Sequence, residues 1–407
     1  DLRTSRALCA NSMDTRERER LSEQRDLEED PDHQESESMA ENQHFASIIR
    51  AYDEYRAWGL AKADRLERHY GKLSAADRAV MRVDNKVAGM RAAVEQNARV
   101  IAQLVAPHRA SVPAGDDPRV QVAMPQPDGS TRFVPTSRTD YVPESDLEKV
   151  QSTLKQFVRE WGAEGRAERE SAHGPVLDAL RKEFPQPEGV RVLLPGAGLG
   201  RLVWEVAMAG YVAQGCEFSY FMLIAADFLT NRLGAAQETV TLHPWALQTC
   251  NAVSAADQLR PAVAPEVPPS DLPEESNLSM CAGDFLEVYR DSEAAWEALV
   301  TLFFVDTAHD PSEYVRAAWR MIADGGVWIN MGPLLWHFHD MPGEVSIELT
   351  WQELRSLIVA CGFVFEREEW CRCSYTCNPQ SLYQMQYNCI FFVARRPPRQ
   401  PADGSEP

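Results

Sequence analysis

Hydrophobic residues in the first part of the chain recur at helical spacing. The first stripe consists of Phe45, Ile48, Ile49, Tyr52 and Tyr55. The second consists of Val80, Val83, Val87, Met90, Val94, Ile101 and Leu104. Ser74 and Asp77 are placed to cap the start of the second helix. Both stripes are typical of helix faces that pack in a core or against a second copy of the chain.

Two more helices are predicted before residue 185. Ser145 and Glu148 resemble a capping box for a helix that continues through Trp161. Another helical stretch extends from residue 163 to residue 184. The seven prolines between residues 107 and 143 predict a long connection ahead of these helices.

From residue 190 the pattern changes to alternating strands and helices. The strand-like runs lie at 190–194, 212–216, 299–305, 327–330, 363–366 and 388–394. A polar, proline-rich insertion at 251–277 interrupts the alternation. Thr350 and Glu353 resemble a capping box for a helix that ends at Gly362, and the last two runs predict a β-hairpin. This order predicts an α/β fold with a parallel sheet.

Composition divides the chain further. Its 407 residues suffice for two or three domains, and 44% hydrophobic with 25% charged residues is typical of a globular protein. Residues 1–44 contain 13 acidic residues, 6 arginines and little to bury, so we expect a disordered acidic tail there. We therefore predict a helical N-terminal region at 45–185, an α/β domain at 186–397 and a flexible tail at 398–407.

The net charge of −20 and the lack of clustered Lys and Arg argue against nucleic-acid binding. No apolar run has the length of a membrane helix, and the polar N-terminus lacks a signal-peptide core, so we expect no membrane partner. We expect a soluble intracellular protein in the cytosol, with the nucleus left open as a second location.

The cysteines do not predict a disulfide framework or a metal site. There are nine, an odd number, scattered over a long chain. Cys371, Cys373 and Cys377 invite a zinc interpretation, but their spacing lacks the usual pairs of structural zinc ligands. We therefore expect no metal, and we interpret these thiols as small apolar residues.

A glycine-rich turn at 195–201 lies between a strand and a helix, where backbone can approach a ligand closely. Gly196 and Gly198 belong to a G-x-G-x-G pattern, which favours a nucleoside without a diphosphate and disfavours a dehydrogenase. Glu217, 21 residues after Gly196, can accept hydrogen bonds from both ribose hydroxyls. S-adenosylmethionine fits both signals. The alternative is a tight turn beside a surface glutamate.

Three further positions carry candidate chemistry. Asp284 and Phe285 can hold an adenine by a hydrogen bond and ring packing, or they form an ordinary turn. Asp306 follows an apolar strand where open α/β sheets bind substrate, although it could instead cap the next helix. His337 follows the next strand and is either an acid/base group or a histidine satisfied in the core.

Taken together, these motifs strongly resemble the carnosine N-methyltransferase family. The matching segments are 152–159, 195–201, 215–219, 282–285, 303–309 and 328–338. The likeness extends from about His44 to Arg396.

The resemblance implies transfer of a methyl group from S-adenosylmethionine to an imidazole nitrogen of the dipeptide carnosine, giving anserine. It implies a seven-stranded, Rossmann-like class I methyltransferase sheet with an N-terminal helical region, and a homodimer. The implied cofactor residues are Gln156, Arg159, Gly196, Gly198, Glu217, Asp284 and Phe285. The implied substrate residues are Asp306, His337, Tyr375 and Tyr387, of which Asp306 or His337 would act on the proton of the other ring nitrogen.

Two departures from the pattern matter. Met385 stands where the family can carry another tyrosine beside the substrate, so peptide preference could differ. Leu194 stands where many methyltransferases of this fold have an acidic residue, and we expect Arg159 to bind the cofactor carboxylate instead. Two alternatives remain open: methylation of histidine in longer peptides or proteins, and a non-catalytic S-adenosylmethionine-binding scaffold.

Overall fold

The computed structural model describes residues 31–109, 121–125, 131–135, 142–233 and 237–398. Helices dominate the part before residue 185. Its elements are α1 (Pro31–Tyr70), α2 (Ala75–Met81), α3 (Val83–Val105), β1 (Gln121–Pro125), β2 (Thr131–Pro135), α4 (Glu144–Gln156), a π-helical segment (Phe157–Trp161), a 3₁₀ turn (Ala163–Gly165) and α5 (Arg166–Glu183).

The second part alternates strands and helices. Its first elements are β3 (Arg191–Pro195), α6 (Arg201–Met208), β4 (Val212–Glu217), α7 (Tyr220–Asp227), β5 (Val240–Leu242), α8 (Ala255–Gln258) and β6 (Ala262–Ala264). The remaining ones are β7 (Leu278–Ala282), α9 (Phe285–Val288), β8 (Trp296–Leu302), α10 (Pro311–Met321), β9 (Ile322–Gly332), α11 (Trp351–Cys361), β10 (Val364–Cys373) and β11 (Tyr387–Arg395).

Seven strands form the main sheet, in the order β10-β11-β9-β8-β3-β4-β7. The strands from β9 to β7 pair in parallel, whereas β11 runs antiparallel to both of its neighbours. The carboxyl ends of the parallel strands therefore meet at one edge, where open α/β sheets bind ligands. The predicted seven-stranded α/β sheet with a helical N-terminal region is confirmed.

The two predicted apolar stripes are buried except at one position. All five residues of the first stripe are in the core, and Ser74 accepts the backbone N–H of Asp77 as predicted. Val80, however, is 83% exposed, so the prediction that it belongs to a packed helix face is wrong. Arg82 adopts a left-handed conformation (φ 51°) that ends α2 and starts α3 on a new axis, which breaks the helical periodicity between Val80 and Val83.

The two predicted capping boxes have different outcomes. Thr350 and Glu353 form one at the start of α11, which ends at Gly362 as expected. The prediction of a capping box at Ser145 is wrong, because α4 begins at Glu144, its N-cap residue is Pro143, and no side chain caps it. Ser145 thus lies inside the first turn, where acidic side chains favour the helix N-terminus instead.

Two predicted unstructured stretches contain regular elements. Helix α1 begins at Pro31, inside the predicted acidic tail, because good helix formers such as its Glu and Gln residues extend a helix at little cost once its buried turns have formed. Strands β1 and β2 pair antiparallel within the proline-rich connection. Residues 1–30 and 399–407 of the predicted tails lie outside the described residues.

Buried polar contacts join the helical region to the sheet domain on the side of the carboxyl edge. The Tyr52 hydroxyl donates to the carbonyl of Phe221 (2.7 Å), and Trp161 Nε1 donates to the carbonyl of Leu199 (3.0 Å). The apolar core is continuous from α1, α3 and α4 to α7. Within the described ranges, no helix has the length and apolar character needed to span a membrane.

Candidate active site

A cavity of about 490 Å³ lies between the carboxyl edge of the sheet and the helical region. The turn after β3, the end of β4 and the turn after β7 form one side of it. The loops after β8 and β9 form the second side, and the junction of α4 with the π-helical segment closes the third. Most of the predicted site residues come together here: Gln156, Arg159, Gly196, Gly198, Glu217, Asp284, Phe285, His337 and Tyr375.

The glycine turn adopts backbone conformations that are unfavourable for residues with a side chain. Gly196 and Gly198 have φ of 69° and 56°, and a Cβ on Gly198 would lie 2.6 Å from Glu160 Oε1. Glu217 accepts the backbone N–H of Gly198 and of Ser219 through different oxygens, each at 2.8 Å. Burial raises the pKa of Glu217, and these N–H groups oppose the rise. The carboxylate is thus fixed in the cavity wall rather than at the surface.

Asp284 caps helix α9, so the turn interpretation of this residue is confirmed. Its Oδ1 accepts the backbone N–H of Leu286 (2.8 Å) and of Glu287 (3.2 Å). Phe285 is buried and meets the ring of Phe304 edge to face, with 5.4 Å between centroids. Both residues line the cavity, and their contact with an adenine stays a prediction.

The π-helical segment explains how consecutive residues reach the same cavity. A π-helix is wider than an α-helix and is frequent at functional sites. Here it follows directly after Gln156 and places the neighbouring side chains of Arg159 and Glu160 in the cavity wall. The helix pattern of the sequence predicted Gln156 and Arg159 on one helix but contained no sign of this change in winding.

Arg159 is held by a hydrogen bond from its Nε and by an aromatic ring against one face of its guanidinium. Its Nε donates to Glu168 Oε1 (2.7 Å), and its guanidinium carbon lies 4.4 Å from the ring centroid of Tyr375. Its Nη1 is 3.9 Å from Glu160 Oε1. These contacts orient the guanidinium while its ends remain in the wall of the cavity.

Glu160 lines the cavity, and sequence reasoning missed it. Its Oε2 accepts the backbone N–H of Leu199 (3.0 Å) and of Arg201 (3.3 Å), at the start of α6. Burial raises the pKa of Glu160 to about 7, against the opposing effect of Arg159. The apolar residue at Leu194 was the available signal, because a glycine turn without its usual acidic neighbour can obtain one from elsewhere in the fold.

Asp306 is buried and hydrogen-bonded. Its Oδ2 accepts the backbone N–H of Leu335 (2.8 Å), and its carbonyl accepts that of His337 (3.0 Å). Burial raises the pKa of Asp306, while the Leu335 N–H and His337 oppose the rise. The alternative that Asp306 caps the next helix is wrong, because Asp310 caps α10. His337 lines the cavity, and Asp306 is joined to it through the backbone without being one of the lining residues.

Of the two predicted tyrosines, one lines the cavity and the other packs on a residue that lines it. Tyr375 lines the cavity, and its hydroxyl accepts a hydrogen bond from Gln156 Nε2 (2.7 Å). Tyr387 meets Phe303 edge to face, at 6.1 Å between centroids, and Phe303 lines the cavity. Burial raises the pKa of both hydroxyls, so both remain protonated at neutral pH.

The cysteine cluster has no metal-binding arrangement. Cys373 is buried, and its thiol donates to the carbonyl of Ser171 (3.4 Å). Across the described residues, no three His, Cys, Asp or Glu side chains are grouped to hold a metal ion.

A glycine turn, a carboxylate at the end of the next strand and one antiparallel strand in a seven-stranded parallel sheet define a class I methyltransferase domain. Residues 136–398 match the family described as carnosine N-methyltransferase. The chain belongs to this family.

Known proteins of the same description support this assignment. Mouse (Mus musculus) carnosine N-methyltransferase is 45% identical over 257 residues, which cover 62% of this chain and 64% of the mouse protein. Carnosine N-methyltransferase unmet of Drosophila melanogaster is 33% identical over 370 residues, which cover 88% of this chain and 80% of that protein. The match thus leaves about a third of the mouse protein uncovered.

Among solved structures, a SAM-dependent methyltransferase from Methanosarcina mazei is similar to this chain. The alignment covers 54% of this chain and 98% of the Methanosarcina chain. The sequence identity is 13% and the TM-score is 0.36.

Proposed function

We propose that this protein transfers a methyl group from S-adenosylmethionine to an imidazole nitrogen of carnosine, giving anserine and S-adenosylhomocysteine. The observation that carries the proposal is that one cavity is lined both by the glycine turn, predicted to bind a nucleoside, and by the predicted acceptor residues His337 and Tyr375. Membership of the carnosine N-methyltransferase family supports the same acceptor.

The residues around the glycine turn fit S-adenosylmethionine. Glu217 offers carboxylate oxygens to two ribose hydroxyls, and the guanidinium of Arg159 is placed for a carboxylate. Gln156 Oε1 is buried without a partner among the described residues, so it can accept from the amino group of the ligand. Glu160 already occupies the N–H groups at the start of α6, where a diphosphate would otherwise bind. This arrangement favours a nucleoside over a dinucleotide.

When bound, S-adenosylmethionine supplies an activated methyl group, so the protein has chiefly to orient a neutral imidazole nitrogen. Such orientation can lower a barrier by roughly 7–11 kcal/mol. Free imidazole has a pKa of about 6.5 and is largely neutral at pH 7, so no strong base is required. The other ring nitrogen donates its N–H to Asp306 or His337, which fixes the tautomer and stabilises the imidazolium that forms when the methyl group is transferred. The same group then accepts that proton, which leaves the neutral methylated imidazole. Tyr375 and Tyr387 orient the peptide through their hydroxyls.

Mass spectrometry tests this function directly. Purified protein is incubated with S-adenosylmethionine and carnosine, with homocarnosine and a histidine-containing peptide in parallel. We expect methylation of carnosine at an imidazole nitrogen. Methylation of the peptide alone would move the assignment to a peptide or protein acceptor, and no product despite binding of S-adenosylhomocysteine would favour a non-catalytic scaffold.

We also propose that the protein forms a homodimer. Helix α2 and the turn before it expose three apolar side chains, Leu73, Val80 and Met81, that support a contact between copies. Light scattering coupled to size-exclusion chromatography is expected to give twice the chain mass. A monomer mass over the whole range of concentrations would contradict this.

A further inference from the structure

Glu168, on α5, is the common anchor of two segments that meet at the cavity. Its Oε1 accepts from Arg159 Nε (2.7 Å) and from the backbone N–H of Thr376 (2.9 Å). Its Oε2 accepts from the backbone N–H of Cys377 (3.3 Å) and from Ser374 Oγ (3.5 Å). The side chain of Glu168 is only 9% exposed. One buried carboxylate therefore ties the helical region to the connection between β10 and β11.

The segment that Glu168 holds is strained. Thr376 has a φ of 45°, in the left-handed region, which a β-branched residue rarely adopts. Such a conformation persists only where surrounding contacts enforce it, and it is typical of ligand sites. Here the Glu168 carboxylate accepts the N–H groups of Thr376 itself and of the next residue, Cys377. Without these bonds the turn would relax.

Tyr375, the residue before this turn, contacts the predicted cofactor residues. Its hydroxyl accepts from Gln156 Nε2, and its ring packs against the guanidinium of Arg159. Gln156, Arg159 and Tyr375 all line the cavity, whereas Glu168 lies behind them. The predicted cofactor side and acceptor side of the site thus share one anchor that is not itself part of the cavity lining.

We propose that Glu168 is a positioning residue that couples the binding of the two substrates, a role that rests on the function proposed above. A ligand carboxylate that orders Arg159 also orders Tyr375, because both depend on the same carboxylate and pack on each other. The second ligand then meets a site already ordered, and its affinity rises. The coupling is reciprocal, so carnosine equally tightens the binding of the cofactor.

Calorimetry measures this coupling. Carnosine binding is titrated with and without saturating S-adenosylhomocysteine, which cannot react. We expect S-adenosylhomocysteine to tighten carnosine binding about tenfold in the parent protein, within the range typical of coupled sites. In Glu168→Ala both ligands should bind more weakly, and the ratio of the two carnosine affinities should fall toward one. A purely structural defect would lower the folded fraction but leave that ratio unchanged.

Two further variants separate positioning from stability. Thr376→Gly removes the strain, because glycine adopts positive φ freely. Added to Glu168→Ala, it should recover part of the lost carnosine affinity, while alone it should change little. Glu164→Ala is the matched control, since Glu164 is a neighbouring exposed carboxylate that pairs with Arg260. Where Glu168→Ala does not accumulate as folded protein, Glu168→Gln takes its place. Its amide keeps one accepting oxygen and turns the other atom into a donor, so part of the bonds to Arg159, Thr376 and Cys377 is lost and a smaller fall of the ratio is expected.

The outcomes distinguish this inference from the function on which it rests. If the parent protein binds both ligands and Glu168→Ala keeps the parental ratio, the coupling role of Glu168 is wrong and the function stands. Failure of Thr376→Gly to recover any affinity in the Glu168→Ala background also counts against it. A parent protein that binds neither ligand overturns the proposed function together with the inference.

Discussion

At the scale of single residues, the surroundings of Arg159 require a guanidinium rather than any cation. The Nε–Glu168 bond and the packing on the Tyr375 ring both use features that lysine lacks. These contacts restrict the planar group before a ligand arrives, and a ligand carboxylate completes its ordering, so less entropy is lost on binding. The sequence suggested this residue for the cofactor carboxylate, and that contact stays a prediction.

We expect Arg159→Lys to weaken the binding of S-adenosylhomocysteine about tenfold or more, because the ammonium cannot keep both contacts while reaching a carboxylate. Arg159→Ala should weaken it further, and more than it weakens peptide binding. Calorimetry measures both affinities. Arg166→Lys is the control, since Arg166 is 64% exposed and pairs with Glu266 outside the cavity. Unchanged cofactor affinity in Arg159→Ala would reject the contact.

Asp306→Asn separates charge from position. The asparagine Oδ1 can still accept the Leu335 N–H, so the loop that carries His337 should stay in place. Loss of the negative charge should lower kcat by 10²-fold or more, as is common for groups that handle a proton, while affinity for S-adenosylhomocysteine stays within about twofold. Steady-state kinetics and calorimetry measure these effects.

Asp310→Asn is the matched control for this variant, because it removes the same charge from a residue that lines the cavity. Asparagine also caps a helix well, so the cap of α10 should be kept. We expect near-parental turnover from it. Full activity in Asp306→Asn would remove Asp306 from the mechanism and leave His337 as the proton acceptor.

Some of these residues could be predicted from the sequence and others could not, for a physical reason. Glu217 could be recognised because its role depends on a fixed distance along the chain from the glycine turn. Glu160 and Glu168 could not, because their partners Leu199 and Thr376 are 39 and 208 residues away. A buried carboxylate in a helix has no local pattern that distinguishes it from a surface one.

At the scale of elements, the glycine turn depends on the absence of side chains. We expect Gly198→Ala to weaken the binding of S-adenosylhomocysteine about tenfold or more, because the positive φ is unfavourable for alanine and its Cβ would displace Glu160 Oε1, 2.6 Å away. Gly174→Ala is the control: Gly174 lies within α5 with no atom within 4 Å of a new Cβ, so it should bind normally. Calorimetry compares the two, and parental affinity in Gly198→Ala would contradict the proposed role of the turn.

The two capping-box motifs provide a matched pair. Thr350→Ala should lower the free energy of unfolding by about 1 kcal/mol, because the threonine accepts the N3 backbone N–H. Ser145→Ala should change it by less than about 0.5 kcal/mol, since Ser145 is exposed and caps nothing. Urea denaturation measures both. Equal losses in the two variants would mean that the motif stabilises a helix wherever it falls.

Helix breaks are harder to predict than helix caps. The apolar stripe from Val80 to Leu104 has unbroken helical spacing, and nothing in it marks Arg82 as the end of a helix. A non-glycine residue in the left-handed conformation is unfavourable locally, so packing of α3 against α1 must outweigh it. Local patterns therefore predicted the helices, whereas tertiary contacts decided where they break.

At the scale of the whole molecule, the helical region is part of the site rather than an appendage to it. It contributes Gln156, Arg159 and Glu160 to the cavity wall, opposite the carboxyl edge of the sheet. The alternating pattern made the sheet predictable, because each strand and helix follows from its own residues. The docking of the helical region depends on contacts between distant segments, such as Tyr52 with Phe221, and no local pattern encodes these.

Glu160 makes this docking sensitive to pH, since it links the helical region to the glycine turn. Burial raises its pKa from the usual value of about 4.5 to about 7, so the folded protein holds the proton more tightly than the unfolded chain does. Its contribution to stability is therefore complete below about pH 4.5 and is lost as the pH rises through 7, by roughly 3 kcal/mol in all.

Glu160→Gln removes this titration and keeps an acceptor for the Leu199 N–H. We expect the variant to gain stability relative to the parent protein as the pH rises from 5 to 8, because only the parent must bury a charge. Glu217 and Asp306 titrate in both proteins, so the difference between the two unfolding free energies, measured in urea at each pH, isolates Glu160. A difference that does not change with pH would mean that Glu160 stays ionised throughout, with Arg159 and the turn N–H groups outweighing its burial.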